Sequence, residues 1–145
     1  MDLNKLSEML KVEEGLRLKP YTDSVGKLTI GYGRNLDDVG ISETEAAFFL
    51  GNDMAKHALL LDKNIPWWQN LDDVRQRVLC DMCFNMGWGD GTHGLSSFPN
   101  FLEHVRLGQY KDAAQHGRNS HWFNQVGRRG VRLMLMMETG QDQKY

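Results

Sequence analysis

The residues best suited to chemistry lie in a short segment near the N terminus, Lys11 to Gly33. Glu14 follows a second glutamate, Glu13, and directly precedes a glycine that ends a helical pattern. The carbonyl end of a helix and a neighbouring carboxylate both favour the protonated form of an acid. General acid catalysis needs a protonated group, so Glu14 is a candidate proton donor. The alternative is that both glutamates simply face water on the last turn of the helix.

Asp23 and Thr29 extend this candidate site. Asp23 lies in the turn sequence Asp-Ser-Val-Gly, and Thr29 lies on the strand expected to follow it. Two carboxyl groups, one neutral and one ionised, are the usual means of cleaving a glycosidic bond. Thr29 would hold a water molecule between itself and Asp23. Taken singly, Asp23 is better explained as a turn residue and Thr29 as a strand residue. The prediction of chemistry therefore depends on the three residues together.

The pattern around these residues predicts a helix followed by a small sheet. Apolar residues recur at helical spacing up to Gly15, with Asp2 or Asn4 as the N-cap. Residues 20–26 and 27–33 have the turn chemistry and the β-branched content of two short strands. A sheet of this size must pack against helices, and a cleft is expected at its open edge.

Beyond a polar loop at residues 35–40, only helices are predicted. Ser42 and Glu45 form a capping box that opens a long helix reaching about Leu61. A largely buried helix spans residues 71–86. Four shorter helices follow, at about 98–107, 110–116, 120–125 and 127–138. Because strands and helices are segregated along the chain, we expect an α+β fold that is mostly helical.

These elements predict a single domain over residues 1–145. Its parts are a small β-containing lobe (about 15–50), an interlobe helix (about 42–61), and a larger helical lobe (62–145 together with helix 1–14). The cleft is expected between the two lobes. On the interlobe helix, Phe49, Leu50 and Met54 belong to the predicted buried side.

Composition and charge exclude several classes of protein. With 145 residues, 41% hydrophobic content and a net charge of −2, the chain has the composition of a soluble globular protein. It contains no run of about 18 apolar residues, and its start lacks the features of a secretory signal, so synthesis in the cytoplasm is expected. The chain is not basic enough to indicate nucleic-acid binding. Cys80 and Cys83 are expected to be buried free thiols, and no cysteine or histidine spacing predicts a metal site.

The spacing of Glu14, Asp23 and Thr29 matches the Glu–Asp–Thr pattern of the T-even-type phage lysozymes. The surrounding sequences, EGLRLKPY and TIGYGR, resemble the same family. Further segments match it at FNMG, SSFPN, HWFNQVGRRGVRLM and ETG. The resemblance extends over nearly the whole chain and implies a lysozyme-like fold.

The resemblance also implies roles for individual residues. Glu14 would protonate the leaving glycosidic oxygen. Asp23 would stabilise the developing positive charge and orient or deprotonate the attacking water, with inversion as the expected outcome. Thr29 would help to hold that water. Arg129 matches a late arginine that pairs with the catalytic glutamate in this family.

Further residues match positions that support the site or bind substrate in the family: Gly33, Asn85, Phe98 and Trp122. The amide of Asn85 would suit sugar hydroxyl groups, and the ring of Trp122 would suit a sugar face. A role in the core is an equal alternative for Trp122.

Arg34 marks a departure from the family, because the best-known member has a buried histidine there. Asp53 matches the acidic partner of that histidine, which predicts an Arg34–Asp53 salt bridge between the sheet and the long helix. Residues 34–41 also replace a longer strand-rich insertion, so a reduced small lobe and a more open cleft are expected.

The function implied by the resemblance is that of a phage or prophage endolysin. Such an enzyme hydrolyses the β-1,4 bond between N-acetylmuramic acid and N-acetylglucosamine in the glycan strands of bacterial peptidoglycan, and so lyses the host. It would act as a monomer without a metal or organic cofactor. It would stay in the host cytoplasm until a holin-type membrane lesion released it to the periplasm or wall. The alternatives are a lytic transglycosylase and an inactive lysozyme-like protein that only binds peptidoglycan.

Overall fold

The computed structural model describes residues 1–144, and in that range it contains seven α-helices and a three-stranded antiparallel sheet. The helices are α1 (Leu3–Glu14), α2 (Glu43–Asn64), α3 (Asp73–Met86), α4 (Pro99–Arg106), α5 (Tyr110–Arg118), α6 (His121–Val126) and α7 (Arg128–Thr139). The strands are β1 (Arg17–Thr22), β2 (Leu28–Gly31) and β3 (Arg34–Asn35). Short 3₁₀ helices lie at Pro66–Asn70 and Leu95–Ser97. The predicted α+β, mostly helical fold is confirmed.

The chain divides into two compact units, an N-terminal unit of residues 1–49 and a helical unit that begins at Leu50. The N-terminal unit holds α1, the sheet and the first turns of α2. The helical unit holds the rest of α2 and helices α3 to α7. The lobe boundaries proposed from the sequence stay a prediction.

Helix α1 has the ends that the sequence predicts. The carboxylate of Asp2 accepts hydrogen bonds from the amides of Asn4 and Lys5 at 3.0 and 3.1 Å, which satisfies two free N–H groups of the first turn. At the other end Gly15 adopts a φ of 68° and donates its amide hydrogen to the carbonyl of Lys11. A residue with positive φ ends a helix at low cost when it is glycine. Glu14 is therefore fixed as the last helical residue.

The sheet is a meander in which β2 lies between β1 and β3. Tyr21 faces Thr29 across the first pair of strands, and a bulge interrupts the pairing nearer the start of β1. In the second pair, Ile30 faces Arg34. The third strand, which overlaps the expected loop at Asn35, was not predicted, because two residues are too short a pattern to indicate a strand from sequence.

Helix α2 begins with the predicted capping box. The amide of Ser42 donates to the carboxylate of Glu45 at 2.7 Å, and the amide of Glu45 donates to the Ser42 hydroxyl at 3.2 Å. The helix extends to Asn64, beyond the predicted end. Its predicted buried side is wrong: Phe49 and Met54 are 52% and 50% exposed. Among the described residues of α2, Leu61 is the one that is buried.

The hydrophobic core lies in the helical unit and is built from α3 to α7, the end of α2 and the 3₁₀ helix at Leu95–Ser97. Its largest fully buried side chains are Phe101, Leu61, Leu79, Met82, Leu95, Met134 and Met137. Gly117 on α5 is buried against the Met134 side chain of α7, where an added Cβ would collide with the sulfur. A glycine therefore permits the close approach of these two helices. The helices from Pro99 onward lie within a few residues of their predicted positions.

Within residues 1–144, no helix combines the length and the apolar content needed to cross a bilayer.

Candidate active site

Glu14 is placed by α1 against the turn that joins β2 to β3. A Cβ added at Gly33 would lie 2.6 Å from Glu14 Oε2 and 3.1 Å from Glu14 Cδ, so the carboxyl group lies directly over the glycine. Gly33 also has a φ of +76°, which side chains other than that of glycine rarely adopt. The sheet turn is therefore shaped to receive this carboxyl group.

A groove of about 480 Å³ runs along α1 and reaches Glu14. Its lining residues are Leu3, Leu6, Ser7, Leu10, Lys11, Glu14 and Tyr32. Glu14 is exposed, so its carboxyl group can reach a ligand or solvent. This is the accessibility that a proton donor needs.

Asp23 is fixed in the hairpin turn between β1 and β2. Its Oδ1 accepts hydrogen bonds from the amides of Val25 and Lys27 at 3.0 and 2.8 Å. Its own amide donates to the carbonyl of Lys27 at 2.9 Å. This is an Asx turn, as the alternative interpretation of Asp23 foresaw. Within residues 1–144, no hydrogen bond is made to the second carboxylate oxygen, Oδ2, which leaves it available to a ligand or water molecule.

Thr29 meets Asp23 through the same lysine backbone. The Thr29 hydroxyl donates to the carbonyl of Lys27 at 2.9 Å, the oxygen that also accepts the amide of Asp23. Thr29 is 3% exposed, whereas the other residues of the strands are exposed or partly exposed to solvent. Because its proton is committed to Lys27, the hydroxyl oxygen offers only lone pairs to any further partner. The structure thus brings Asp23 and Thr29 together on one hairpin.

The main chain of Lys27 belongs to the candidate site, although it was not identified from the sequence. Main-chain groups carry no sequence signal, and lysine in a turn draws no attention. Two acidic residues of the following segment, Asp37 and Asp38, also contact this hairpin: Asp37 accepts the Leu28 amide at 2.7 Å and Asp38 pairs with the Lys27 ammonium at 2.9 Å. The sequence signal was their adjacency, which alone indicated only a polar loop.

In the helical unit, Arg129 is held by α7 and pairs with Asp81 of α3. Its Nε donates to Asp81 Oδ1 at 2.7 Å, and both side chains are about one-third exposed, at 32% each. Nη2 also contacts the Asp81 carbonyl oxygen at 3.4 Å. Asp81 was not singled out from the sequence. The pairing of Arg129 with Glu14 stays a prediction.

Asn85, Trp122 and Phe98 form a second group in the helical unit. The indole N–H of Trp122 donates to Asn85 Oδ1 at 2.9 Å. Trp122 is 6% exposed and belongs to the core, and Phe98 packs against it edge to face with ring centroids 6.3 Å apart. Of the two roles weighed for Trp122, packing in the core is observed. Contact of these residues with sugar stays a prediction.

Arg34 has a different partner from the one expected. Its guanidinium binds Glu45 at 2.6 Å, together with the carbonyl of Gly40 at 3.4 Å, instead of the predicted Asp53. Glu45 is already fixed by the capping box, so it is oriented for this contact. The salt bridge still joins the sheet to α2, through a carboxylate nearer the start of that helix.

Cys80 and Cys83 on α3 are free thiols; Cys83 is buried, as predicted, whereas Cys80 is only partly buried. Burial raises the pKa of both thiols, that of Cys83 to about 11. Neither is therefore a thiolate at neutral pH. Within residues 1–144, no three histidine, cysteine or acidic side chains lie close enough together to hold a metal ion.

Comparison with known proteins gives relatives that match most of the chain. Gp5, a pre-baseplate central spike protein of Enterobacteria phage T4, is 29% identical over 97% of this chain, which spans only 28% of the length of that protein. A probable T4-type lysozyme of Dictyostelium discoideum is 26% identical over 99% of both chains. An endolysin of Acyrthosiphon pisum secondary endosymbiont phage 1 is 34% identical over 73% of this chain and 70% of its own.

A sequence model of the phage lysozyme family matches residues 11–134, a range that includes Glu14, Asp23, Thr29 and Arg129. The match covers most of the chain, and it agrees with the α+β fold and with the relatives above. The chain therefore belongs to the phage lysozyme family.

Proposed function

We propose that this protein is an endolysin that hydrolyses the β-1,4 bond between N-acetylmuramic acid and N-acetylglucosamine in peptidoglycan. Membership of the phage lysozyme family supports a lysozyme-type glycoside hydrolase that acts on peptidoglycan. The similarity to a phage endolysin supports a role in host lysis. Release from the host cytoplasm through a holin-type lesion and action as a monomer belong to the same proposal.

The observation that carries the proposal is the convergence of Asp23 and Thr29 on the backbone of Lys27. A hydrolase must hold one water molecule beside the anomeric carbon of the sugar. In the proposed mechanism this water donates one hydrogen bond to Thr29 Oγ1 and the other to Asp23 Oδ2. Asp23 then removes a proton as the oxygen attacks, and its charge stabilises the oxocarbenium-like transition state.

Glu14 supplies the proton in the proposed mechanism. As the bond between the sugars breaks, its carboxyl group protonates the leaving oxygen, and the water attacks from the opposite face of the ring with inversion. The proton taken by Asp23 balances the one given by Glu14, so the site returns to its starting state by exchange with solvent. In this mechanism the side chains of Glu14 and Asp23 carry out both proton transfers.

Digestion of purified peptidoglycan followed by mass spectrometry of the products tests the proposal. Hydrolysis gives soluble muropeptides with reducing ends. Products with 1,6-anhydro ends would instead show a lytic transglycosylase, in which the 6-hydroxyl of the muramic acid replaces water. Peptidoglycan that binds the protein but releases no soluble product would show a binding protein.

Glu14→Gln tests the assignment of the acid, with Glu13→Gln as the matched control. Both changes replace one carboxyl group with an amide at the same helix end. A general acid contributes about 10²- to 10⁴-fold to the rate, so we expect a loss of that size for Glu14→Gln alone. Turnover of Glu14→Gln within a few-fold of the parent protein would refute the role of Glu14.

A further inference from the structure

The main-chain groups of two consecutive residues, Lys27 and Leu28, point in opposite directions at the start of β2. The amide and carbonyl of Lys27 face the candidate site, where they bind Asp23 Oδ1, the Asp23 amide and the Thr29 hydroxyl. The amide and carbonyl of Leu28 face the segment after β3. Anything that fixes Leu28 from that side also fixes the peptide unit that holds Asp23 and Thr29.

The segment after β3 holds Leu28 at both of its main-chain groups. The Leu28 carbonyl accepts the Leu36 amide at 2.7 Å, as in a regular ladder. The Leu28 amide, however, donates to a side chain, Asp37 Oδ2, also at 2.7 Å. Strand β3 ends at Asn35, so the carboxylate of Asp37 takes the place of the next backbone acceptor. A charged acceptor makes a stronger hydrogen bond than a neutral carbonyl.

We propose that Asp37 is a positioning residue for the candidate water-binding pair, Asp23 and Thr29. It acts through the Leu28 amide and the adjoining Lys27 peptide and does not itself touch substrate. The expected effect of Asp37 on the rate rests on the proposed function. The expected effect of Asp37 on the position of the Lys27 peptide does not depend on that function.

Asp38 provides a matched comparison on the same loop. Its carboxylate pairs with the Lys27 ammonium at 2.9 Å, with 40% of the lysine side chain and 56% of the aspartate side chain exposed. Exposed ion pairs contribute little because water and salt screen them. Asp37 and Asp38 thus have the same charge and neighbouring positions, but only Asp37 accepts a hydrogen bond from the strand that carries Thr29.

The kinetic experiment compares Asp37→Ala, Asp37→Asn and Asp38→Ala on solubilised peptidoglycan, with melting temperatures measured for each. Small displacements of reacting groups cost about tenfold to a hundredfold in rate, so Asp37→Ala should lower kcat by that amount with KM within about twofold. Asp37→Asn keeps a carbonyl acceptor and should recover most of kcat. Asp38→Ala should stay within about twofold of the parent.

Two results would overturn the proposal: an Asp37→Ala protein with the parent kcat, or an equal loss in Asp38→Ala. If Asp37→Ala does not fold, the pair Asp37→Glu and Asp38→Glu decides, because each keeps its charge and only the former displaces the acceptor of the Leu28 amide. A selective fall in kcat for Asp37→Glu supports the proposal, and equal values for the two refute it.

Amide hydrogen exchange separates this inference from the proposed function. In the folded Asp37→Ala or Asp37→Glu protein, the Leu28 and Lys27 amides should exchange faster than in the parent, while they stay unchanged in the matching Asp38 variant. Unchanged protection in the Asp37 variants would refute the inference whatever the activity. If the parent protein releases no product from peptidoglycan, the proposed function fails, and the exchange result still tests the contact.

Discussion

At the scale of single residues, Gly33 is subject to two separate constraints. Its φ of +76° requires a residue without a side chain, and its Cα lies under the carboxyl group of Glu14. Gly31 shares the first constraint, with a φ of +68°, but an added Cβ there would meet no atom within 4 Å. Substitutions at the two glycines therefore separate the effect of backbone strain from the effect of displacing the Glu14 carboxyl group.

We expect Gly33→Ala to lower turnover of peptidoglycan much more than Gly31→Ala does. Both changes should lower the free energy of unfolding, each by about 1 to 2 kcal/mol from the left-handed backbone. Only the former also pushes the Glu14 carboxyl group, and a misplaced catalytic group costs up to about a hundredfold in rate. Kinetic assays with thermal unfolding of both variants check this. Equal turnover in the two would show that the contact with Glu14 has no catalytic consequence.

At the scale of elements, one side chain at the start of α2, that of Glu45, makes two separate contacts. Glu45 closes the capping box with Ser42 and also binds Arg34 next to the sheet. The hydrogen bond from the Ser42 backbone amide, supported by the Ser42 hydroxyl and by Arg34, holds the pKa of Glu45 below its ordinary value of 4.5. The start of the helix and the position of β3 thus depend on the same ionised carboxylate.

A depressed pKa gives a stabilisation that is present above the unfolded value and is lost as the pH falls through the folded value. We therefore expect the parent protein to lose stability between about pH 5 and 3 more steeply than Glu45→Gln, which keeps a capping side chain but does not titrate. Denaturant unfolding at a series of pH values measures the difference. Parallel pH profiles would exclude a contribution from Glu45.

Ser42→Ala tests the other half of the capping box. It removes the acceptor of the Glu45 amide and should lower the free energy of unfolding by about 1 kcal/mol. Thr44→Ala is the control, since it lies on the same turn outside the capping pair. Equal unfolding free energies for the two variants would count against the box as a source of stability.

At the scale of the whole molecule, the end of α7 is tied to α3 through Arg75. Its side chain is 12% exposed and donates to the carbonyls of Met137 and Glu138 at 2.8 and 3.1 Å. These carbonyls belong to the last turn of α7, where no helical partner remains for them. The guanidinium also lies 3.6 Å from the ring centre of Tyr110 on α5. One planar cation therefore joins α3, α5 and α7.

We expect Arg75→Lys to lower the free energy of unfolding by about 2 kcal/mol, because lysine lacks the planar fork that binds two carbonyls and stacks on tyrosine. Arg77→Lys is the matched control on the same helix. Arg77 is 46% exposed and pairs with Asp73 and Asp142 at the surface, so its loss should stay below about 0.5 kcal/mol. Urea unfolding of both variants compares them, and similar losses would contradict the role given to Arg75.

The sequence by itself determined the features whose signals are local. The ends of α1, the capping box of α2 and the later helices follow from caps, glycines and apolar spacing within a few residues of each other. The choice of Glu14, Asp23 and Thr29 followed from their types and spacing, which also match the family pattern. Their catalytic roles are proposals, and Glu14→Gln tests that of the acid.

Only the tertiary structure decided which distant groups meet. The two-residue strand β3 exists because β2 offers it an edge, and Arg34 binds Glu45 because the capping box orients that carboxylate. The contact of Asp37 with the Leu28 amide joins a side chain to a main-chain group, and residue types carry no signal for such a partner. Local patterns fix local conformation, but pairing across the chain depends on where folding places each backbone group.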